Sequence, residues 1–472
     1  MQPKFNKFCL LAGIILLSVL AGCSDDGPKD DPKDQAPELI QKVNRFVYEN
    51  FQDAYLWSAN VPDNIDIRYI FKPKDMLDSV LYKPDDRFSL ITDDAESLAN
   101  SFAGVETTFG YSLARGKFTN TGNYFAIIQF IYPNTPAEKA GLKRGDIFLT
   151  INGGDITPAN VNLLYDASTI QLGLGFEEDG HIKDLGKTVS MAAVKMQLDP
   201  VVSDKIIDKS GKRIGYLCYT DYNAESQEKL VEVLTGFKGA NVTDVVLDLR
   251  YNGGGLAETA RFLSSMLAPA SVTSAKKIYL KEIWNAEYNA YWQSQGQDLD
   301  TRFDNTVPVN LDLDHLYVLT GKGTASASEA TIVGLSPYLT LTRIGETTYG
   351  KYCGGVLLRP QKWTGNEWVN IEEIYNWGIY IMVYRFANSN GETDFKNGFT
   401  PHYTVKDDLY NTFPLGDEQD PLLAKAMELI TGSAPVAAKP ATRSASLPEL
   451  RPIYKNPFHG IMLDNRQLRP LK

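Results

Sequence analysis

The sequence predicts an α/β protein made of several domains, and three features support this prediction. About 435 residues follow an apolar leader and an acidic stretch, which is more than one ordinary domain contains. Residues 316–344 alternate between strand-type and helix-type patterns, as a β-α-β unit does. Residues 132–153 have the pattern of a short helix, a strand and a turn. We therefore expect a helical domain at 38–95, a small domain at 96–197 and an α/β domain at 198–432.

A segment of targeting type precedes these domains. An apolar run from Phe8 to Ala21 follows two lysines and leads into Leu20-Ala-Gly-Cys23. This pattern resembles a bacterial lipoprotein signal, which implies removal of residues 1–22, lipidation of Cys23, and an acidic tether at 23–37. The run is shorter than the ~20 residues that a membrane-spanning helix needs, so an uncleaved anchor is disfavoured.

The composition limits the partners and the location of the chain. A net charge of −11 argues against nucleic acid and against an anionic membrane surface as partners, so lipid rather than a basic face would hold the chain at a membrane. We expect a bacterial envelope protein anchored to the outer membrane, on its periplasmic or its outer face. No Cys/His cluster has metal-ligand spacing, so neither a metal nor another cofactor is expected. Cys218 and Cys353 could form a disulfide, but the sequence leaves this open.

The first domain starts with an amphipathic helix. Ile40, Val43, Val47 and Phe51 share one helical face. A short helical domain at 38–95 is therefore expected.

The second domain has the order of elements found in PDZ domains. Pro136 can start a helix, Gly141 can end it, and 147–151 then form a strand that turns at Asn152-Gly153. The stretch Tyr132 to Gly153 resembles the PDZ core, which implies binding of an extended peptide as an added strand. A PDZ fold used only for packing is the alternative. The resemblance places the peptide-binding residues in the preceding loop and strand, at Phe109, Gly110, Tyr111, Ser112 and Leu113.

The β-α-β unit of the third domain brings two reactive side chains to one sheet edge. Residues 316–320 and 340–344 read as strands, and 327–335 read as the helix between them. If the strands are parallel, Ser326 and Lys351 both follow strand carboxyl ends, where open α/β sheets bind ligands.

Serine and lysine at this edge suggest nucleophilic catalysis. A serine hydroxyl needs a base, and a lysine serves as one when burial lowers its pKa toward neutrality. The chain has four histidines, and none lies within a few residues of Ser326, so a Ser-His-Asp triad is disfavoured. Taken alone, the pair is weak evidence, because a serine before a helix is usually a cap and a lysine is usually solvated.

A glycine turn adds a candidate oxyanion hole. Residues 245–250 read as a buried strand that runs into Tyr251-Asn-Gly-Gly-Gly-Leu256. Consecutive glycines allow backbone amides to point at a ligand, as stabilisation of a developing oxyanion requires. A flexible turn is the plainer alternative.

Taken together, residues 83–431 resemble the C-terminal processing peptidases, the tail-specific serine proteases of the S41 type. The matching motifs are Asp86-Arg-Phe-Ser89, Ile214-Gly-Tyr216, Asp248-Leu-Arg-Tyr-Asn-Gly-Gly-Gly255, Ser326-Ala-Ser-Glu329, Gly345-Glu-Thr-Thr-Tyr-Gly-Lys351, Gly398-Phe-Thr-Pro-His402 and Asp420-Pro-Leu-Leu-Ala-Lys-Ala426. The resemblance implies a ClpP/crotonase-like core and a polypeptide substrate. It also implies that Ser326 is the nucleophile, that Lys351 is the general base, and that amides at Gly254 and Ala327 form the oxyanion hole.

Two departures from the family pattern leave an alternative open. The family usually has a glutamine four residues after the lysine, where this chain has Gly355, and often an aspartate where this chain has Ser336-Pro337. A non-catalytic peptide-binding envelope lipoprotein with a peptidase-like fold is therefore the alternative. An acyl-CoA enzyme on the related crotonase fold is disfavoured by the PDZ-like segment and the leader.

Two further segments have open roles. Residues 279–303 are rich in aromatic side chains, which favours helix packing over a lid. Residues 433–472 begin as an Ala/Pro/Ser-rich linker and end in an apolar tail, which could dock on the body or in the PDZ groove. Substrate identity and oligomeric state are not encoded in any motif.

Overall fold

The computed structural model describes residues 34–433, 447–453, 461–468 and 471. The leader, Cys23 and most of the tether lie outside the described residues, as does most of the 433–447 linker. Within the described ranges, no helix combines the length and the apolarity that crossing a membrane requires.

The N-terminal helices pack on the α/β domain. The first element, α1, buries Val43, Val47 and Phe51 along one face, as its sequence pattern predicts. These side chains belong to the same apolar core as the large α/β domain, so the N-terminal helices have no separate core. The elements, numbered here in chain order, are α1 Glu38–Asp53, α2 Pro73–Val80, β1 Leu90–Thr92 and α3 Ala95–Phe102, with 3₁₀ helices at Ser58–Asn60 and Ile67–Tyr69.

A mostly antiparallel sheet with its own core follows, and we call residues 105–197 the β-domain. Its first helix starts at Pro136 and is followed by Gly141 at φ 77°, and the turn at Asn152 and Gly153 has positive φ at both residues, all as predicted. Its elements are β2 Val105–Thr108, β3 Tyr111–Lys117, β4 Tyr124–Ile131, α4 Pro136–Lys139, β5 Ile147–Ile151, β6 Gly154–Asp155, α5 Leu163–Asp166, β7 Thr169–Glu178, β8 His181–Ala192 and β9 Val194–Gln197.

The α/β domain is built on a six-stranded sheet. Its strand order is β10-β11-β12-β16-β17-β22, and all neighbours are parallel except β10 and β11. Helices α6, α7 and α10 cover one face and α11 covers the other, so the central strands are apolar on both faces. The bounds are β10 Val201–Lys209, β11 Lys212–Tyr219, α6 Ser226–Gly239, β12 Asp244–Asp248, α7 Ala257–Leu267, β16 His315–Thr320, α10 Ala327–Leu335, β17 Thr340–Gly345, β22 Tyr403–Thr404 and α11 Pro421–Thr431.

A second sheet packs beside the first and contains a strand from the C-terminal tail. Its order is β13-β24-β18-β21-β14-β15, with β1 also paired to β21. The remaining bounds are β13 Gly255–Leu256, α8 Ala270–Ser274, β14 Ile278–Trp284, α9 Ala286–Ser294, β15 Asp300–Arg302, β18 Cys353–Leu358, β19 Gln361–Trp363, β20 Trp368–Asn370, β21 Gly378–Ala387, β23 Arg451–Ile453 and β24 Met462–Leu463, with a 3₁₀ helix at Glu372–Ile374.

The structure also answers two questions that the sequence left open. Trp284 and Tyr288 of the aromatic insert are buried and stack on each other, so packing is the correct interpretation. Cys218 and Cys353 are both buried and free, so they form no disulfide.

A buried ion cluster joins the sheet to α11 and to the β-domain. Arg250, directly beyond β12, contacts Asp248 and donates to both carboxylate oxygens of Asp420, the N-cap residue of α11. It also contacts Asp407, which pairs at 2.5 Å with Arg144 of the β-domain. Because the Arg250 side chain is 1% exposed, these charges lack water and depend on one another.

Replacing Arg250 should destabilise the fold more than replacing a surface arginine. Arg250→Ala leaves Asp248 and Asp420 buried without their guanidinium partner, so the free energy of unfolding should fall by about 3–5 kcal/mol in denaturant titrations. Arg213→Ala is the control, because its pair with Asp208 is exposed and should contribute no more than about 1 kcal/mol. Equal losses for the two variants would contradict a special role for the cluster.

Candidate active site

Ser326 lies on a strained turn between β16 and α10. Its backbone has φ 63° and ψ −113°, a conformation that non-glycine residues rarely adopt and that proteins retain mostly at functional sites. The residue is fully buried, and its Oγ has no hydrogen-bond partner among the described residues. The predicted parallel pairing of β16 and β17 is present, so this turn follows a strand carboxyl end as expected.

One carboxylate ties the Ser326 turn to the lysine loop. Glu329 accepts the backbone amides of Ser326 at 2.9 Å and of Lys351 at 2.7 Å through one oxygen. Its other oxygen accepts the Gly350 amide at 2.7 Å and the Thr348 hydroxyl at 2.5 Å. Burial raises the pKa of Glu329 to about 7, while these donors favour the ionised form. The two loops that carry the candidate dyad are thus held by one side chain.

Lys351 is buried in surroundings that favour its neutral form. Its side chain is fully inaccessible, and burial lowers the pKa of its amine to about 7, against the opposing influence of Cys353, Asp86 and Glu329. The Nζ atom lies 5.2 Å from the ring centroid of Phe88. A substantial fraction of this amine is therefore neutral near pH 7, as a general base requires.

The amine of Lys351 contacts a tyrosine, whereas the family pattern has a glutamine to orient it. Lys351 Nζ donates to the Tyr380 hydroxyl at 3.0 Å. A Cβ atom on Gly355 would lie 2.7 Å from Tyr380 Cζ and 2.6 Å from Met382 Cε, so a glutamine does not fit there. Sequence reasoning missed Tyr380, because it lies on β21 within an ordinary apolar strand and no motif marks it.

The glycine turn offers a different amide from the one expected. Gly254 donates its amide to Asn252 Oδ1 at 2.9 Å, whereas the Gly255 amide donates to the carbonyl oxygen of Ile461 at 2.8 Å. Gly255 rather than Gly254 therefore points at a peptide carbonyl, because the Asn252 side chain captures the earlier amide. The Ala327 amide starts α10 and is one of the donors that a helix cannot satisfy internally.

The five residues expected to bind peptide divide into core and edge. Phe109 and Tyr111 are buried and stack on each other. Gly110 has a φ of 89° and lies against Thr135, which leaves no room for a Cβ atom. The Ser112 hydroxyl donates to a glutamine, and Leu113 lies on the β3 edge that pairs with Ile453. Only the strand edge of this set meets an extended segment within the described residues.

A cavity of about 320 Å³ connects the two regions. Tyr111 and Ser112 of the β-domain line it together with Gly253, Gly254 and Gly255 of the glycine turn. The start of β3 and the glycine turn therefore open onto one space.

A buried serine on a strained turn, a buried lysine with a lowered pKa, and glycine amides at a sheet edge define a serine-type hydrolase. Residues 213–405 match the family described as Peptidase family S41, and residues 42–90 match the Peptidase S41 N-terminal domain. The chain belongs to peptidase family S41 and is a serine-type peptidase with a mixed α/β fold.

Known relatives agree with this assignment. The carboxy-terminal processing protease CtpB of Bacillus subtilis is 22% identical over 426 residues, which cover 87% of this chain and 77% of that protein. A carboxyl-terminal-processing protease of Synechocystis is 22% identical over 68% of this chain and 67% of its own length. The crystal structure of an S41 protease from Bacteroides fragilis superposes with a TM-score of 0.68 at 26% identity, over 82% of this chain and 97% of that one.

Replacing Glu329 should destabilise the site. In Glu329→Gln, one of the two carboxylate oxygens becomes an NH2 group, which cannot accept a hydrogen bond. The buried donors on that side lose their acceptor, so the free energy of unfolding should fall by about 1–3 kcal/mol. Glu228→Gln, at an exposed position of α6, is the control and should change it by no more than about 0.5 kcal/mol. Denaturant unfolding measures both, and an unaffected Glu329→Gln protein would show that the carboxylate does not hold the two loops.

Proposed function

We propose that the chain is a serine endopeptidase that cleaves polypeptides with a Ser326–Lys351 dyad. The observation that carries the proposal is the buried Lys351, with its pKa lowered to about 7 and its backbone fixed to the Ser326 turn through Glu329. A solvated lysine would be almost fully protonated at neutral pH and could not act as a base. This burial also counts against a non-catalytic peptide-binding shell, which would have no need of a desolvated lysine.

The proposed reaction uses two amides and one proton carrier. Neutral Lys351 takes the proton of Ser326 Oγ as the oxygen attacks the scissile carbonyl carbon. The Gly255 and Ala327 amides stabilise the negative charge on the carbonyl oxygen. Protonated Lys351 then gives its proton to the departing amine, and an acyl-enzyme ester remains on Ser326. Water, deprotonated by the same lysine, hydrolyses the ester and restores both groups.

Tyr380 is proposed as the positioning residue for the lysine. Its hydroxyl accepts a hydrogen bond from Lys351 Nζ and donates one to the carbonyl of Met462 at 2.6 Å. Since these two hydrogen bonds are directional, the hydroxyl fixes where the amine points. The phenol takes the place that the family pattern gives to the glutamine missing at Gly355.

The β-domain is proposed to be a PDZ domain that binds the substrate polypeptide by strand addition. Its β3 edge pairs antiparallel with Arg451–Ile453, which supports binding of an extended peptide there. Main-chain hydrogen bonds tolerate many sequences, so unstructured segments and chain ends are the expected substrates. The names of the Bacillus and Synechocystis relatives, which process carboxyl termini, support the same substrate class.

The location is proposed from the leader alone. Leu20-Ala-Gly-Cys23 follows an apolar run, as in lipoprotein signals, so Cys23 would carry lipid and hold the peptidase at the outer membrane of a bacterial envelope. Mass spectrometry of the mature N-terminus tests this, and an unmodified Cys23 would refute it.

Removing either member of the dyad should abolish proteolysis. Ser326→Ala and Lys351→Met should each lower kcat/KM on an unfolded polypeptide at least about 10³-fold, because nucleophile and base act as one unit. Labelling of Ser326 by a serine-reactive acylating probe should disappear in the first variant. Ser274→Ala and Lys187→Met, at exposed positions, are the matched controls. Proteolysis by Ser326→Ala at the unmodified rate would exclude the mechanism.

The pH profile should report the buried lysine. Because the base is the neutral amine, kcat/KM should rise as pH increases through about 7 and fall about tenfold per unit below it. In Tyr380→Phe the charged amine loses a hydrogen bond, so the midpoint should move to lower pH, and loss of positioning should lower kcat about 10–100-fold. Tyr384→Phe, on the same strand, is the control. A Tyr380→Phe protein with an unchanged midpoint and kcat would remove the positioning role.

A further inference from the structure

The C-terminal tail occupies the peptide-binding edge of the β-domain. Arg451–Ile453 forms β23, antiparallel to β3, with Ile453 opposite Leu113 and Arg451 opposite Arg115. The carbonyl of Ile453 accepts the Tyr165 hydroxyl at 3.1 Å, and that hydroxyl accepts the Leu113 amide. The side chain of Ile453 packs on the β-domain core. A segment of this chain thus binds by strand addition, the mode proposed for substrate.

A second part of the same tail lies at the catalytic centre. Met462–Leu463 forms β24, parallel to Gly255–Leu256 on one side, and Leu463 pairs with Gly355 on the other. The amide of Asp464 donates to the Gly355 carbonyl at 2.9 Å. Met462 is fully buried, so the tail fills the space between the glycine turn and the strand that follows Lys351.

The contacts of two successive carbonyls place one peptide bond at the dyad. The Ile461 carbonyl accepts the Gly255 amide, the proposed oxyanion donor, at 2.8 Å. The Met462 carbonyl accepts the hydroxyl of Tyr380, which contacts the lysine amine. A Cβ atom built on Gly254 would lie 2.7 Å from the Ile461 carbonyl oxygen and 2.8 Å from Ser326 Cβ. The Ile461 carbonyl and the Ser326 side chain therefore both lie next to Gly254. The Ile461–Met462 bond therefore lies where a scissile bond would.

We propose that two stretches of the tail, residues 447–453 and 461–468, are an intramolecular substrate mimic that occupies both peptide-binding sites and closes the catalytic cleft to other polypeptides. The inference rests on the proposed function, because it assigns the Gly255 amide and the β3 edge to substrate binding. Ser326 and Lys351 are both 0% exposed with the tail in place, so another polypeptide must displace it to react.

The tail is held at several points that act together. Arg466, beyond β24, pairs with Glu282 at 2.8 Å and also contacts Asp464. The amide of Leu471 donates to Asp53 at 3.1 Å. Because contacts on one chain raise each other's effective concentration, loss of the β3 contact should weaken binding at the cleft. Since Met462 and Leu463 pair with neighbouring strands, a cleaved Met462 amine would stay beside the acyl group and the bond could re-form.

Binding of a tail peptide supplied in solution tests the proposal without catalysis. The probe is a fluorescent synthetic peptide with the sequence of residues 447–468, added to Ser326→Ala protein. Ile453→Asp, combined with Ser326→Ala, places a charge in the β-domain groove and should release the internal tail, lowering the Kd of the peptide at least about tenfold. Ile453→Val is the control and should leave the Kd within about twofold. An unchanged Kd in a folded Ile453→Asp protein would overturn the proposal.

A second form covers the case in which Ile453→Asp does not fold. A site-specific protease sequence is placed within residues 434–446 and cut after the protein has folded. The freed tail should then dissociate on dilution and exchange with the labelled peptide, whereas a tail that never exchanges is a fixed structural strand and overturns the proposal.

The acylating probe separates failure of the tail proposal from failure of the proposed function. With Ser326 intact, the Ile453→Asp protein should be labelled at least about tenfold faster than the unmodified protein. If the tail peptide exchanges but Ser326 is never labelled, the dyad is contradicted, while binding of the tail at these two positions still holds. Labelling at equal rates without exchange would support the dyad and overturn the mimic.

Discussion

The active site depends on the carboxylate of Glu329. Its two oxygens accept four hydrogen bonds, and these come from both the Ser326 turn and the loop of Lys351. Buried backbone amides need acceptors, and these loops have irregular backbone that no sheet or helix can satisfy. The hydrogen bonds also offset the unfavourable φ of Ser326, which is 63°. A single buried side chain thus fixes the geometry of both proposed catalytic residues.

Desolvation then sets the chemistry that this geometry permits. Lys351 lies among aromatic rings, and burial lowers its pKa against the opposing influence of Cys353, Asp86 and Glu329. An ion pair with either carboxylate would keep the amine charged, so the arrangement works because Glu329 is engaged with backbone donors instead. The neutral hydroxyl of Tyr380 accepts a hydrogen bond from the amine and orients it without adding charge.

Local sequence patterns predicted the strands and the helix that carry this site. The contacts between its side chains depend on long-range strand register, which the sequence pattern does not specify. The bounds of α10 and the pairing of β16 with β17 follow from periodicity and turn residues within 30 positions, so the sequence was sufficient. Tyr380 contacts Lys351 only because β21 pairs with β18 in one register, which no local pattern specifies. Likewise, the choice between the Gly254 and Gly255 amides depends on where the Asn252 side chain turns.

The position of the tail follows from the same physics as substrate binding. The β3 edge and the gap between β13 and β18 both present unpaired main-chain groups, which a sheet protein must cover or pair. In this structure β23 and β24 supply those partners from one short segment. Under the proposed mechanism, a substrate that replaces the tail must form the same backbone hydrogen bonds and gains little from them in exchange. Selectivity among substrates therefore has to come from side chains that fit the Ile453, Ile461 and Met462 positions better than these residues do.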